Sequence, residues 1–452
     1  MAPNASSNLP VAITNVRLAH PDPARSNDLW RIECSGGRVS SVQCLVGQDP
    51  QPVRADSDID ADGGLLLPSL CHSHIHLDKC FILDRCELVH GNFAEALQVT
   101  NKAKAAFDRD DLYRRGYKLI RDSLECGVTS MRAHVEIDTA VEFLCLEVGQ
   151  QLSKEFRDIC EVQLTAFAQE PLFDSAESTE PGRNYILLAQ AVEKDIQVVG
   201  SAPYVEPTME QAKANIKLVL ELAQKHGCHV DFHLDYNLDP ASEPLIFEVI
   251  SSAKKLSWSR ESIITIGHAT RLQLFTPAEW RDLVAAIGDL PITFVGLPQS
   301  DIYMLGRQQA DSPLGAPRGT LRIPHLANEY GVEMAMAVNN AQNAFTPQGS
   351  VDPLSLCALG VALFQSATPG DLRTLVQAVT LTSKRAIGQR ERDVHRDLCI
   401  ARDDPADFVI LHDTPNLQSA ALNPGYDRTT IRAGVVVARR HTSRWVADTI
   451  QV

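Results

Sequence analysis

Residues 68–79 read PSLCHSHIHLDK, and this stretch decides how the rest of the chain is interpreted. Its apolar opening predicts a buried strand, along which histidines stand at positions 72, 74 and 76. Because side chains i and i+2 of a strand point to the same face, His74 and His76 are able to grip one ion at the strand end, with His72 one step behind. A lone His-x-His pair is weak evidence, since packed histidines are common.

Seven further apolar runs follow, each separated from the next by a helical pattern. They end at His134, Gln169, Pro203, His233, His268, Pro298 and Asn339. Successive ends are 30 to 58 residues apart, which is enough for a βα unit. Strands that alternate with amphipathic helices imply a parallel sheet, and eight such units make a (β/α)₈ TIM barrel. In that fold catalytic groups lie at the C-terminal strand ends, where the histidines fall.

Short alternating strands flank this region on both sides. Residues 10–66 show the pattern, and it returns after residue 400 in DFVILHD and TIRAGVVVARR. We therefore predict an α/β chain with three segments. They are the N-terminal part of a small β-sandwich lobe (1–65), the barrel (66–394) and the C-terminal part of the same lobe (395–452).

Charge and composition exclude several classes of partner. The chain has 42 Lys and Arg against 57 Asp and Glu, a formal net charge of −15, which argues against nucleic acid and against an acidic membrane surface. No run approaches the ~18 apolar residues of a membrane span. The 11 cysteines include no Cys-x-x-Cys pair and are typical of reduced thiols. We predict a cytoplasmic homo-oligomer that binds a small molecule.

The histidines at strand ends favour a metal site. His233 and His268 close the fifth and sixth predicted strands and join the His74 and His76 pair. Either one alone is better explained as a packed core histidine, but the combination favours a ligand set. Three protein ligands with an open position suit a catalytic metal, and such a metal lowers the pKa of its water to about 7.

The chain resembles the amidohydrolase superfamily, in the branch of cytosine deaminase and the triazine-degrading N-isopropylammelide amidohydrolase. The motifs that carry the resemblance are PSLCHSHIHLDK (68–79), GVTSMRAHVEID (127–138), LTAFAQE (164–170), VDFHLD (230–235), IGHAT (266–270), LPQSDIYMLGR (297–307) and NNAQNAFTPQG (339–349). The resemblance implies a hydrolase of carbon–nitrogen bonds other than peptide bonds. Its expected substrate is a small nitrogen heterocycle, cleaved by deamination or cyclic amide hydrolysis.

The resemblance also implies one divalent metal ion per chain, Zn²⁺ in preference to Fe²⁺. Its expected ligands are His74, His76 and His233, and the pair at 74 and 76 is preferred to His72 because Leu-Asp-Lys follows it. His268 is expected to hydrogen-bond the hydroxide or the substrate.

Four further residues are expected in the site by the same resemblance. Gln169 is expected to hydrogen-bond the ring amide and, with Asn340, to read the ring edge, and Tyr236 is expected to bind the substrate. Lys79 matches a lysine that looks functional in the triazine enzyme and is expected, with His268, to stabilise or shuttle charge; a solvated lysine after a strand is the alternative interpretation.

One departure from the family concerns the eighth strand, where the family has an aspartate that ligates the metal and acts as general base. Asn339 stands there, and its amide oxygen is expected to be a weak fourth ligand of the metal that accepts no proton. Three explanations are open. Asp235, at i+2 from His233, takes over as catalytic base; the register is misjudged; or the chain is a non-catalytic scaffold or ligand sensor. The retained histidines, Gln169 and Lys79 argue against the last.

Overall fold

The computed structural model describes residues 12–45, 58–306, 319–443 and 445. The strands are β1 (Ala12–Leu18), β2 (Trp30–Ser35), β3 (Arg38–Cys44), β4 (Ile59–Asp60), β5 (Leu65–Pro68), β6 (Leu70–His76), β7 (Val128–Glu136), β8 (Glu161–Ala168), β9 (Val198–Ser201), β10 (His229–Leu234), β11 (Ile264–His268), β12 (Ile292–Gly296), β13 (Met334–Met336), β14 (Phe408–Leu411), β15 (Arg428–Arg432) and β16 (Val435–Arg440).

The α-helices are α1 (Phe93–Lys104), α2 (Arg109–Glu125), α3 (Leu144–Phe156), α4 (Arg183–Val192), α5 (Met209–His226), α6 (Ile246–Lys255), α7 (Pro277–Ile287), α8 (Pro298–Met304), α9 (Ile323–Tyr330), α10 (Pro353–Phe364), α11 (Pro369–Ala378), α12 (Leu381–Ala386) and α13 (Leu417–Leu422). Within the described part of the chain, none of them is long and apolar enough to cross a membrane.

Strands β6 to β13 form one parallel sheet in sequential order. The sheet closes on itself because Ile75 of β6 pairs in parallel with Asn339, just beyond β13. The backbone N–H of His76 donates to the Asn339 carbonyl at 2.9 Å, and the N–H of Asn339 donates to the His74 carbonyl at 3.3 Å. The predicted (β/α)₈ barrel is therefore confirmed.

The barrel strands are buried on both faces, as parallel strands covered by helices are. All seven residues of β6 and all nine of β7 are buried. The outer helices begin and end where local chemistry allows. Thr208 caps α5 by accepting from the N–H of Gln211, and Gly227 ends that helix with a φ of +68°.

The second sheet is the β lobe, in the order β16-β15-β14-β5-β1-β2-β3, with β4 beside β1. Strand β1 belongs to both halves of the lobe, since its first residues pair with β2 and β4 and its last two pair with β5. Strand β14 pairs antiparallel with β5 and so joins the C-terminal segment to the N-terminal one. The lobe built from both termini is confirmed, while the limits at residues 65 and 394 stay predictions.

Candidate metal centre and cavity

Four histidine rings meet at the C-terminal end of the barrel. His74 and His76 come from β6, His134 from β7 and His233 from β10, and one nitrogen of each lies within 4.8 Å of the others. The ring of His74 is 4.2 Å from that of His134 and 4.4 Å from that of His233, measured between centroids. Three strands thus place four buried imidazoles around one point.

The protonation state of these rings suits a metal. Burial lowers the pKa of His74, His76 and His233 well below its ordinary value, and the positive charges of neighbouring groups lower it further. These three imidazoles are therefore neutral at physiological pH. Neutral imidazole is the form that ligates a metal ion.

Several buried polar atoms at this point have no hydrogen-bond partner among the described residues. They are both nitrogens of His74, Nδ1 of His76, Nε2 of His233 and Oδ1 of Asn339. Buried polar groups in folded proteins are nearly always satisfied. The lone pairs of these unpartnered ring nitrogens and of the amide oxygen are therefore expected to bind a species that accepts electron pairs. Imidazole nitrogens with an added amide oxygen fit a divalent transition metal.

A buried ion pair lies directly beneath the four-histidine cluster. Asp231 Oδ1 is 3.3 Å from His134 Nε2 and 4.0 Å from His74 Nδ1, and Asp231 Oδ2 is 3.1 Å from Arg132 Nη1. Burial raises the pKa of Asp231, but His134 and Arg132 outweigh that effect and hold the pKa below its ordinary value. An ionised carboxylate behind the histidines orients such ligands and raises their basicity.

We expect Asp231→Asn to lower the free energy of unfolding by about 3–5 kcal/mol, because Arg132 is then left as an uncompensated buried charge. Both side chains are 0% exposed, so solvent offers no screening. Guanidinium denaturation of the metal-free protein measures the loss. The double variant Arg132→Met/Asp231→Leu removes both charges and is expected to recover most of it. A loss below about 1 kcal/mol in Asp231→Asn contradicts this account of the pair.

A small cavity opens above the cluster. Eight of the ten residues predicted for the site lie on its wall, namely His76, Lys79, Gln169, His233, Tyr236, His268, Asn339 and Asn340. His74 lies beneath them, with its ring centroid 5.5 Å from that of His76. The structure thus brings together nine of the ten predicted residues, and the exception is Asp235.

Asp235 is turned away from the cavity. Its carboxylate accepts from the backbone N–H of Leu245 at 2.7 Å and of Ile246 at 3.2 Å, at the start of α6. The i+2 argument fails because β10 ends at Leu234 and Asp235 adopts a φ of +50°, so strand alternation no longer applies. Burial raises the pKa of Asp235 to about 6. This placement corrects the expectation that Asp235 is the catalytic base.

We therefore expect Asp235→Asn to keep kcat/KM within about threefold of the wild type, since the carboxylate anchors α6 and does not reach the reacting atoms. Steady-state kinetics with any substrate that the protein turns over provides the measurement. If kcat/KM falls by more than about 100-fold in a variant whose circular dichroism spectrum is unchanged, Asp235 is the catalytic base after all.

Lys79 is held at the cavity wall by a buried chain of charges. Its Nζ donates to Glu136 Oε1 at 2.7 Å and to Gln169 Oε1 at 3.2 Å, and Lys104 Nζ donates to Glu136 Oε2 at 2.7 Å. Although burial alone raises the pKa of Glu136, Lys104 and Lys79 bring it down to about 2. Lys79 is consequently a cation fixed against a carboxylate, which excludes the interpretation as a solvated lysine.

Hydrogen bonds fix the orientation of two cavity amides. An ammonium only donates, so Gln169 meets Lys79 with its carbonyl oxygen and turns its NH₂ elsewhere. Asn343 uses Oδ1 to accept from two backbone N–H groups, so its NH₂ donates to Oδ1 of Asn340 at 2.8 Å. The NH₂ groups of Gln169 and Asn340 are therefore the ends of these side chains that donate.

Aromatic rings form the remaining wall. Phe93 lies 5.6 Å from Tyr236, 5.8 Å from Phe345 and 6.2 Å from Tyr204, measured between ring centroids. Burial raises the pKa of Tyr204 to about 12, so its phenol is neutral at physiological pH. These rings offer flat apolar faces to a planar ligand.

His268, at the end of β11, lines the cavity with its Nδ1 2.8 Å from Asp301 Oδ1. Burial raises the pKa of Asp301 above its ordinary value, and the hydrogen bonds with His268 and Thr320 offset only part of that increase. His268 and Asn339 have φ angles of +65° and +70°. Such conformations are uncommon for non-glycine residues and concentrate at functional sites.

Comparison with known proteins supports the fold and the resemblance. No family model matches the chain. The chain is similar to a pterin deaminase from Rhizobium rhizogenes, with 26% identity over 396 residues that cover 86% of this chain and 84% of the relative. It is similar to the N-isopropylammelide isopropyl amidohydrolase of Pseudomonas sp. strain ADP, with 20% identity over 418 residues that cover 90% and 92% of the two chains.

Among solved structures it is similar to a 5-methylcytosine deaminase from Klebsiella pneumoniae liganded with 5-fluorocytosine. That structure superimposes with a TM-score of 0.83 at 24% identity, over 96% of this chain and 99% of the other. The relatives are named as deaminases or amidohydrolases and match this chain over most of its length. The resemblance to the amidohydrolase superfamily, drawn above from seven motifs, is confirmed.

Proposed function

We propose that this protein is a metal-dependent hydrolase that breaks a carbon–nitrogen bond of a small planar nitrogen heterocycle, by deamination or cyclic amide hydrolysis. The observation that carries the proposal is the four-histidine cluster at the floor of a cavity with aromatic and N–H donor walls. In this cluster His74, His76 and His233 have buried nitrogens without a partner among the described residues. The names of its relatives support the same chemistry.

His74, His76 and His233 are the proposed metal ligands, beside His134 in the same cluster, with Asn339 Oδ1 as an unpartnered oxygen on the cavity wall. One divalent ion per chain fits this set. We favour Zn²⁺ over Fe²⁺, because zinc takes tetrahedral sets of neutral nitrogen ligands without a carboxylate. When bound, such an ion supplies a Lewis acid that makes water a source of hydroxide near pH 7.

The polar wall indicates which edge a substrate presents. The NH₂ of Gln169, the NH₂ of Asn340 and the ammonium of Lys79 all donate, so the facing ring edge must carry acceptors. Carbonyl oxygens and unprotonated ring nitrogens meet that need, which favours oxo-substituted heterocycles. Stacking against Tyr236 and Phe345 fixes the ring plane.

Lys79 has a further role in this proposal. As the reacting ring carbon becomes tetrahedral, negative charge moves onto the neighbouring oxygen or nitrogen of the ring. A fixed ammonium in a buried wall stabilises that charge more than it stabilises the neutral substrate. Because Glu136 holds Lys79 in place, no reorganisation is needed during the reaction.

Metal analysis and a product assay test the proposal together. We expect close to one metal ion per purified chain, and release of ammonia or a ring-opened product from members of a panel of pterins, aminopyrimidines, aminotriazines and cyclic amides. Less than about 0.2 metal per chain after gentle purification contradicts the metal site. Bound metal without turnover across the panel favours the non-catalytic scaffold or ligand sensor.

The proposal includes a cytoplasmic location and a homo-oligomeric state. All 11 cysteines are free thiols, nine of them buried and two partly buried, which is consistent with a reducing compartment. Light scattering of the purified protein measures the assembly state directly.

A further inference from the structure

His268 lies beside the four-histidine cluster, and one of its nitrogens faces a buried carboxylate. Nδ1 of His268 is 2.8 Å from Oδ1 of Asp301, and the two side chains are 4% and 0% exposed. The ring centroid of His268 is 5.3 Å from that of His233, so the pair borders the metal centre without belonging to it. A histidine backed by a carboxylate in this way has a fixed tautomer.

Asp301 is itself held by groups that only donate to it. Its Oδ2 accepts from Thr320 Oγ1 at 2.6 Å and from the backbone N–H of Leu297 at 3.3 Å. Oδ1 is left to accept from the imidazole. The proton of neutral His268 is therefore on Nδ1, and the lone pair is on Nε2.

The ring of His268 is also fixed in orientation. Its backbone φ of +65° is followed by a φ of +50° at Ala269, whose N–H donates to the Leu234 carbonyl at 3.0 Å. The ring of Tyr236 packs against it with centroids 3.9 Å apart. Since Nδ1 is turned to Asp301, the edge that carries Nε2 is left for the cavity that His268 lines.

Other candidates for a proton acceptor are poorly placed. Among the described residues of the cavity wall there is no aspartate or glutamate. Lys79 is paired with Glu136 and so is a donor. His76 and His233 belong to the four-histidine cluster. Among the described residues of the wall, His268 is the imidazole that remains outside that cluster.

We propose that Asp301 is a positioning residue that keeps the ring proton of His268 on Nδ1. Nε2 of His268 then accepts the proton of the attacking water, which the amide of Asn339 cannot accept. The inference rests on the proposed function. In a deamination, an O–H bond of water breaks, its proton moves to Nε2, and the oxygen bonds to the sp² ring carbon. The displaced electron pair moves onto the ring nitrogen. That electron pair then re-forms the C=N bond. At the same time Nε2 returns its proton to the amino group, which leaves as neutral ammonia.

Asp301→Asn has a defined structural consequence. Thr320 and the N–H of Leu297 both donate to the oxygen at the Oδ2 position, so the amide oxygen stays there and the new NH₂ faces His268. Nδ1 must then accept, and the ring proton moves to Nε2. We expect kcat to fall by about 10²–10⁴, as a wrong tautomer does in carboxylate–histidine pairs, and KM to change by less than about threefold.

Nitrogen-15 NMR of histidine-labelled protein reads the tautomer without any turnover, with His268→Gln used to assign the signal. We expect the Nδ1–H form in the wild type and the Nε2–H form in Asp301→Asn. Thr320→Val is the matched control, because it removes one donor to Oδ2 and leaves Oδ1 facing Nδ1. It is expected to keep the tautomer and to change kcat by less than about tenfold.

An Nε2–H form in the wild type, or an unchanged kcat in folded Asp301→Asn, overturns the inference. The wild-type spectrum decides even if Asp301→Asn does not fold. Absence of turnover on every substrate would instead count against the proposed function, and the NMR result would still report the tautomer.

Discussion

His76→Ala is expected to reduce bound metal from about one ion to less than ~0.1 per chain and to lower kcat/KM by at least ~1000-fold. Both effects have one cause. His76 is a proposed ligand on the cavity wall, and its Nδ1 is buried without a partner among the described residues. Without the ion, the nucleophile is ordinary water, whose pKa lies far above the value of about 7 that a catalytic metal gives.

The matched control is His72→Ala, on the same strand. His72 is equally buried, but its Nε2 is 3.1 Å from Ser123 Oγ and it lies outside the four-histidine cluster. We expect His72→Ala to reduce stability and to leave the metal content of the folded protein near the wild-type value. Elemental analysis and kinetics on both variants make the comparison. Equal metal loss in the two variants contradicts the assignment of His76 as a ligand.

Most of the barrel could be predicted from the sequence because buried parallel strands are apolar runs with a clear end. Each of the eight predicted ends lies within three residues of an observed strand end, from His76 at the end of β6 to Asn339, three residues beyond β13. Where a polar residue closes such a run, the barrel places it at the mouth. This is why nine of the ten predicted site residues come together.

The failures have local causes. Asp235 follows the last residue of its strand, and its positive φ ends the alternation of side chains. The carbonyl of Leu234, just before it, accepts from the backbone N–H of Ala269. His134 closes the second predicted run, so the strand-end rule could have included it among the ligands. Phe93 reaches the cavity from α1, and no pattern near it in the sequence indicates that role.

The contacts of Asn339 bear on the remaining alternatives. Its backbone pairs with Ile75, and its side chain lies on the cavity wall next to the histidines, which gives no support to a shifted register. The site is therefore proposed to combine a neutral ligand set with a carboxylate below it, Asp231, and another beside it, Asp301. In this arrangement the acid–base role is separate from the metal ligands.

Asn339→Asp is expected to tighten metal binding by about 100-fold, which corresponds to about 2.7 kcal/mol. The reason is electrostatic. The amide Oδ1 of Asn339 is buried on the cavity wall that His76 and His233 also line, so a carboxylate there meets a divalent ion with little solvent screening. Two unit charges 4 Å apart interact by about 4 kcal/mol at the effective dielectric constant of a protein, so the expected gain is attainable even after desolvation.

The same substitution is expected to widen the difference in Tm between metal-loaded and metal-free protein. The added charge loses the charge of the divalent ion when the metal is removed, and a 100-fold lower Kd adds about 2.7 kcal/mol to the metal-dependent stability. Competition with a chelator gives the Kd, and thermal unfolding with and without chelator gives the two Tm values. Neither quantity depends on finding a substrate.

Asn340→Asp is the matched control, since it adds the same charge one residue away. The Oδ1 of Asn340 already accepts from Asn343, so it is not one of the buried atoms without a partner among the described residues. We expect its metal Kd to change by less than about tenfold. If both substitutions tighten binding equally, a general change in cavity charge explains the effect. A selective gain at residue 339 instead supports the view that this amide oxygen occupies a ligand position.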